Sequence, residues 1–246
     1  MKPGYLSEIF VSFQGEGAHV GRRHLFVRLA GCNLRCRYCD TPDSLERTEG
    51  YTVSWRGGAM TVGRNPVSSS EVARIITAMI ETDAPIDAIA ITGGEPLVQS
   101  DFLTALLGNG GFGVPVLLET NGVLPRRLSE VLPLVDIISM DIKLPSNSGE
   151  GAYWAEHAEF LELARQKDLY VKVLVDGATS AADLERAADL LAGAQPAVPT
   201  FLQPIVDPDG RPAIDSERLT EVYVLARRRI DSLRVLPQTH KLLGIR

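Results

Sequence analysis

The sequence predicts an α/β fold: an open, partial TIM-type barrel of about six parallel strands, with an N-terminal extension and one insertion. Three observations predict it. Short continuous apolar runs alternate with amphipathic runs along most of the chain, and strands alternating with helices make right-handed βαβ units and a parallel sheet. Six or seven such strands fall short of the eight that close a barrel. Polar and unusual residues recur at the carboxyl ends of the apolar runs, where parallel sheets collect their ligands.

Residues 1–22 read as a segment that precedes the barrel. His24–Leu29 reads as the first strand and runs into a loop with three cysteines. Residues 43–67 are polar and rich in Gly and Arg, and the alternating run Tyr51–Trp55 inside them suggests an inserted hairpin. Ser68-Ser-Ser-Glu71 offers a helix cap with a carboxylate in the first turn, and Val72, Ile75, Ile76, Met79 and Ile80 follow at helical spacing. Ile86–Ile91 is the continuous apolar run of a buried parallel strand. The remaining strands are Val114–Leu118, Val135–Met140, Tyr170–Val175, Phe201–Val206 and Leu233–Leu236. The helices between them are Leu103–Leu107, Arg126–Leu132, Trp154–Arg165, Ala181–Leu191 and Ser216–Arg229. No internal repeat interrupts the alternation, and residues 1–246 read as one domain.

Composition excludes several function classes. A net charge of −6 argues against a nucleic-acid surface, which needs a concentrated basic face. The run Arg227-Arg228-Arg229 lies in a helical pattern and reads as a solvated face. No stretch approaches the ~18 apolar residues of a membrane span, and Met1-Lys-Pro-Gly-Tyr has no apolar signal core. A cytoplasmic location is expected, and its reducing chemistry suits free thiols.

The chain's three cysteines fall within eight residues, Cys32-Asn-Leu-Arg-Cys36-Arg-Tyr-Cys39. Three thiols are too few for a disulfide framework and one short of a four-thiolate site. Thiolates select iron–sulfur clusters, zinc or Cu(I), and three of them leave one metal position open to a reactant. The bland alternative is a zinc knuckle. None of the histidines (His19, His24, His157, His240) is a near C-terminal partner for one. At the other strand ends stand Thr92-Gly-Gly-Glu95-Pro, Glu119-Thr-Asn121, Ser139 with Asp141-Ile-Lys143, Gln203-Pro, and Pro237-Gln238-Thr-His240-Lys. Two glycines bare the backbone for close approach by a ligand amine, and Glu95 adds a carboxylate.

C-x3-C-x2-C followed by Gly-Gly-Glu after a buried strand resembles the radical S-adenosylmethionine (SAM) enzymes. In that family three cysteines hold a 4Fe–4S cluster and SAM chelates the fourth iron. The ordered set Gln14-Gly-Glu-Gly17, Phe26-Val-Arg28, Cys39-Asp-Thr41, Thr92–Pro96, Leu118–Asn121, Asp141–Lys143 and Gln238–Lys241 looks like the 7-carboxy-7-deazaguanine synthase family within it. The resemblance runs from about residue 7 to the C-terminus.

The resemblance implies ring contraction of 6-carboxy-5,6,7,8-tetrahydropterin to 7-carboxy-7-deazaguanine, with loss of ammonia and dependence on Mg2+. Cys32, Cys36 and Cys39 would hold the cluster and Thr41 the Mg2+. Tyr38, Gly93, Gly94, Glu95, Asn121, Ser139, Lys143 and Gln203 would contact SAM. Phe13, Gln14, Gly15 and Thr92 would contact the pterin, with Arg28 gripping its carboxylate. Glu16, Glu119 and His240, with Arg28, would make up the catalytic set. A flavodoxin-like or ferredoxin-like electron donor and a homodimer are also implied. Two other readings stand beside this one: an activase of a glycyl-radical enzyme, which shares the cysteine spacing, and a zinc-stabilised binding module.

Overall fold

The computed structural model describes residues 3–109, 111–194, 197–207 and 210–245. Its strands are β1 (Leu6–Phe13), β2 (Arg23–Leu29), β3 (Gly50–Ser54), β4 (Met60–Arg64), β5 (Ala88–Gly93), β6 (Val116–Thr120), β7 (Ile137–Ile142), β8 (Asp168–Val175), β9 (Thr200–Pro204) and β10 (Leu233–Val235). Among the described residues they form one sheet in the order β10-β9-β8-β7-β6-β5-β2-β1-β3-β4. From β2 through β10 neighbouring strands of this series are parallel. The sheet ends at β4 and β10 without joining them, so the barrel is partial, as predicted.

The helices are α1 (Ser69–Asp83), α2 (Ser100–Gly108), α3 (Pro125–Val131), α4 (Pro145–Ser148), α5 (Trp154–Ala164), α6 (Ala181–Ala192), α7 (Ser216–Arg227) and α8 (Thr239–Leu243). Ser68, Ser180 and Asp215 each cap a helix by accepting a backbone N–H three residues on. The spacing read for α1 is the buried face: Val72, Ile76 and Met79 are fully covered.

Alternation along each strand splits its side chains between two cores. Leu25, Val27, Ile89, Ile91, Leu118, Ile138, Val171 and Leu202 point to the helices and belong to the large outer core. Phe10, Phe26, Ala90, Leu117, Ile137, Tyr170 and Phe201 point inward and pack against one another. Phe10 and Phe26 stack at 5.1 Å between ring centroids, and Tyr170 meets Phe201 edge-on at 6.0 Å.

One region differs from the sequence reading, and a second, the expected hairpin, is present with a pairing the sequence does not predict. The N-terminal segment is not only a loop: β1 pairs antiparallel with β2 and lays Glu8 opposite Arg28 and Phe10 opposite Phe26. Its polar residues disguise it, because its inner face meets a polar cavity. The hairpin of β3 and β4 in residues 43–67 pairs parallel with β1 and extends the same sheet.

Candidate active site

The carboxyl end of β2 leads directly into the cysteine loop. Backbone bonds close the loop, from Gly31 N–H to Ser44 O at 2.8 Å and from Cys32 N–H to Leu45 O at 3.2 Å. From behind, Arg37 donates through its guanidinium to the Ser146 and Asn147 carbonyls on α4, and through its backbone to Ser148 O. The three thiols are free, partly buried and line one cavity of about 600 Å3. Burial pushes the Cys32 and Cys36 thiols up, so a metal binding there must expel protons. A Cβ on Gly94 would overlap the Gly31 and Ser44 carbonyls, and one on Gly93, at φ +126°, would overlap Leu29. The Gly-Gly pair is therefore what lets β5 pass the loop. Three thiols facing a cavity with room in front of them fit a 4Fe–4S cluster with one open iron.

One step above the apolar inner layer, two residues on along the strands, stand Arg28, Thr92, Glu119, Ser139, Lys172 and Gln203. All but Ser139 line the cavity. Glu119 accepts from Thr92 Oγ1 at 2.8 Å and from Gln14 Nε2 at 2.7 Å. Arg28 donates through Nε to Glu8 at 2.9 Å, with its guanidinium over the Phe10 ring. Lys172 pairs with Glu16 and lies 3.3 Å from Asp141, whose other oxygen takes Lys143 Nζ at 2.9 Å. Burial alone would lower both lysines. The surrounding carboxylates, Asp141 first, hold them well above their ordinary value. Burial would likewise raise Glu16, but the Lys172 ammonium and the hydrogen bonds from Lys172 and Gln238 together outweigh it and keep the carboxyl below its usual range.

The two chain ends close one side of the cavity. Gln238 Nε2 donates to Glu16 at 2.6 Å and to Asp40 at 2.8 Å. Thr239 N–H bonds Gly15 O at 3.0 Å, and a Cβ on Gly15 would overlap the His240 ring. Glu16, Asp40 and His240 offer ligand atoms within 4.8 Å of one another. Phe13 lies half exposed at the mouth. Thr41 precedes a short 3-10 turn (Pro42–Ser44) without capping it through its side chain. Its hydroxyl lies 4.0 Å from Cys39 Sγ.

The cavity thus gathers Phe13, Gln14, Gly15, Glu16, Arg28, the three cysteines, Tyr38, Thr41, Thr92, Gly93, Gly94, Glu119, Asn121, Lys143, Gln203 and His240. Gln203 is buried there with Oε1 unpartnered. Two expected residues are not on its wall. Glu95 is fully buried and turned inward, accepting from Leu97 N–H, Thr120 Oγ1 and Asn121 N–H. It organises the β5 and β6 ends. Ser139, flanked in register by Glu119 and Tyr170, is too short to emerge between them and is 1% exposed. Sequence reasoning missed Lys172, Glu8 and the carboxylates of Asp40 and Asp141. The available signal was a lysine inside the apolar run Tyr170–Val175.

A model of the radical SAM superfamily matches residues 27–196. The 7-carboxy-7-deazaguanine synthase of Geobacter sulfurreducens is 38% identical, over 99% of this chain and 98% of that protein. The protein of the same name from Methanothermobacter thermautotrophicus is 34% identical, over 97% and 96%. Among solved structures, QueE from Escherichia coli superposes with a TM-score of 0.62 at 20% identity, covering 96% of this chain and 94% of that one. A radical SAM methyltransferase from Sphaerobacter thermophilus gives 0.59 at 19%, covering 88% and 66%. Cysteine loop, barrel and full-length identity agree: the chain belongs to the 7-carboxy-7-deazaguanine synthase family of the radical SAM superfamily and is a radical SAM lyase.

Proposed function

We propose that this enzyme converts 6-carboxy-5,6,7,8-tetrahydropterin to 7-carboxy-7-deazaguanine with loss of ammonia, in a Mg2+-dependent reaction. The observation that carries the reading is a single cavity shared by three thiols and a layer of polar side chains. A carboxypterin has an amino–imino edge, a ring carbonyl and a distant carboxylate. Glu16, kept ionised by Lys172, accepts from the amino–imino donors, and Gln14 serves the carbonyl. Arg28, tied to Glu8 only through Nε, keeps its two terminal nitrogens for a bidentate grip on the carboxylate. Gly15, Thr92 and Phe13 complete the pterin walls.

Cys32, Cys36 and Cys39 hold the cluster. Tyr38, Gly93, Gly94, Asn121, Lys143 and Gln203 hold SAM. When bound, these two groups supply the hydrogen-abstracting radical. The protein's own part is position: the Phe10–Phe26 stack gives the cavity an apolar floor. Glu119 and His240 stand ready to hold the protons that move as ammonia leaves. Thr41 and Asp40 would offer Mg2+ a hydroxyl and a carboxylate, and the ion would supply charge to hold the substrate carboxylate. The electron comes from a flavodoxin-like or ferredoxin-like donor. The enzyme works in the cytoplasm as a homodimer.

Anaerobic reconstitution with iron and sulfide tests the reading. The loaded protein, given carboxytetrahydropterin, SAM and a reductant, should release 7-carboxy-7-deazaguanine and 5′-deoxyadenosine. Cys36→Ala should lose both products together with bound iron. Failure of cluster-loaded wild type to form the deazaguanine overturns it. Thr41→Ala should blunt activation by Mg2+ with little change in melting temperature. Identical Mg2+ curves remove Thr41 from the metal site.

A further inference from the structure

His157 lies on α5, outside the cavity, and is completely buried. Its Nδ1 is 3.1 Å from the Gly122 carbonyl, just past β6. Its Nε2 is 3.1 Å from the Lys143 N–H, just past β7. A carbonyl can only accept and an amide N–H can only donate, so the two partners specify one tautomer, neutral and protonated at Nδ1. Burial keeps the ring in that state by lowering its pKa to about 4, a shift that the Gly122 hydrogen bond and Asp141 oppose and to which Lys143 adds.

The two bonded segments are the ones that reach back to the cysteine loop. Asn121, next to Gly122, donates through Nδ2 to Asn33 Oδ1 at 2.9 Å, between the first two cysteines. Lys143 carries its ammonium 5.4 Å from the centre of the Tyr38 ring, beside the third cysteine. Gly122 adopts φ +71°, and a Cβ there would press on Met140 and Asp141. Its carbonyl direction therefore depends on a turn that only glycine holds easily, and the imidazole receives that carbonyl. One ring thus spans the ends of two adjacent strands whose next side chains face the cofactor side of the cavity.

We propose that His157 is a positioning residue for SAM: it sets the spacing and direction of the β6 and β7 ends, and so of Asn121 and Lys143. The inference rests on the assignment of those two side chains to SAM. It adds a residue of α5, remote from the cavity wall, that governs cofactor affinity without touching the cofactor. Cluster assembly by the three cysteines should not depend on it.

The two ring nitrogens can be tested apart. His157→Gln reaches the Nε2 position and can still accept from Lys143 N–H. His157→Asn reaches the Nδ1 position and can still donate to Gly122 O. His157→Leu can do neither. SAM affinity is measured by equilibrium dialysis on cluster-loaded protein, with iron content and melting temperature as controls. The expected order of affinity is wild type, then Gln and Asn, then Leu, with Leu weakened roughly tenfold, as for loss of a buried hydrogen-bond partner. Iron per chain should stay unchanged throughout.

In the unloaded protein, the 15N signals of the ring should report the Nδ1–H tautomer and no titration between about pH 5 and 8. Asn121→Ala and Lys143→Met serve as the reference pair. If they weaken SAM while all His157 variants bind it like wild type, the positioning role is overturned. If neither reference variant affects SAM, the assignment beneath it falls instead. Iron lost in parallel with SAM, or an Nε2–H ring, also overturns the proposal. Should His157→Leu fail to fold, the Gln and Asn variants carry the test.

Discussion

The inner face of the barrel holds two neighbouring layers built from the same strands, and they could hardly differ more. Phe26, Ala90, Leu117, Ile137, Tyr170 and Phe201 make a packed apolar plug. Two residues further along each strand stand Arg28, Thr92, Glu119, Ser139, Lys172 and Gln203. The backbone, twist and neighbours are shared, so geometry does not separate the layers. What separates them is how each is satisfied. The plug satisfies itself by packing. The polar layer pairs partly within the parallel strands, Thr92 with Glu119 and Lys172 with Asp141, and partly from outside them, through Glu8, Gln14 and Glu16 of the N-terminal segment. Buried charge is tolerable only when paired. The N-terminal segment is therefore part of what makes a polar barrel interior possible, besides being a wall for substrate.

The sharpest way to break this comparison is Lys172→Met. It leaves Glu16 and Asp141 facing each other without their shared cation, and losing one partner of a buried pair costs ~3–5 kcal/mol. Phe201→Leu, at the register partner of Lys172 on β9, keeps the plug apolar and should cost under ~1.5 kcal/mol. Denaturant unfolding of the metal-free protein measures both. Equal losses would mean that the polar layer is no more dependent on its partners than the plug is on packing.

The plug has a titratable exception beside it, His24, buried next to Phe26 with neither ring nitrogen bonded. Burial lowers its pKa from 6.5 to about 4. Below the unfolded value the unfolded chain takes up a proton that the folded ring refuses. Stability is therefore full above pH 6.5 and falls as the pH drops toward 4, by about 3 kcal/mol for this residue. His24→Phe should flatten that limb and raise stability in acid, while His157, shifted the same way, keeps part of the slope. An unchanged pH profile of melting temperature would show that the plug already solvates His24.

Arg28→Lys probes the polar layer gently. Charge is kept, but a point ammonium cannot reproduce a planar fork, and the lost charged hydrogen bond is worth ~1.5–3 kcal/mol of pterin binding. SAM affinity should stay as it is. Titration of each ligand separately decides, and an equal loss for both would make Arg28 a wall residue tied to Glu8 rather than a substrate grip.

Much of the site could be read along the chain because its parts are local. The cysteine spacing, the Gly-Gly pair after a buried strand and the Gln14–Gly17 segment each lie within a few residues, so covalent connection alone keeps them together. Lys172 was hidden for the opposite reason. Its partners Glu16 and Asp141 are 156 and 31 residues away, and only strand register and the fold of β1 bring them together. Glu95 was legible as a residue and misread as a contact, since three donors from two later segments turn it inward.

By itself, then, the sequence determined the alternating α/β plan, the three-thiol loop and the polar strand ends, because apolar periodicity and short-range spacing survive without a fold. Only the tertiary structure decided that β1 is a strand, that Glu8, Glu16 and Lys172 neutralise the barrel interior, and that His157 joins two strand ends. Those are relations between distant residues. They exist only once the sheet has set which side chains share a layer, and burial has made every unpaired charge costly.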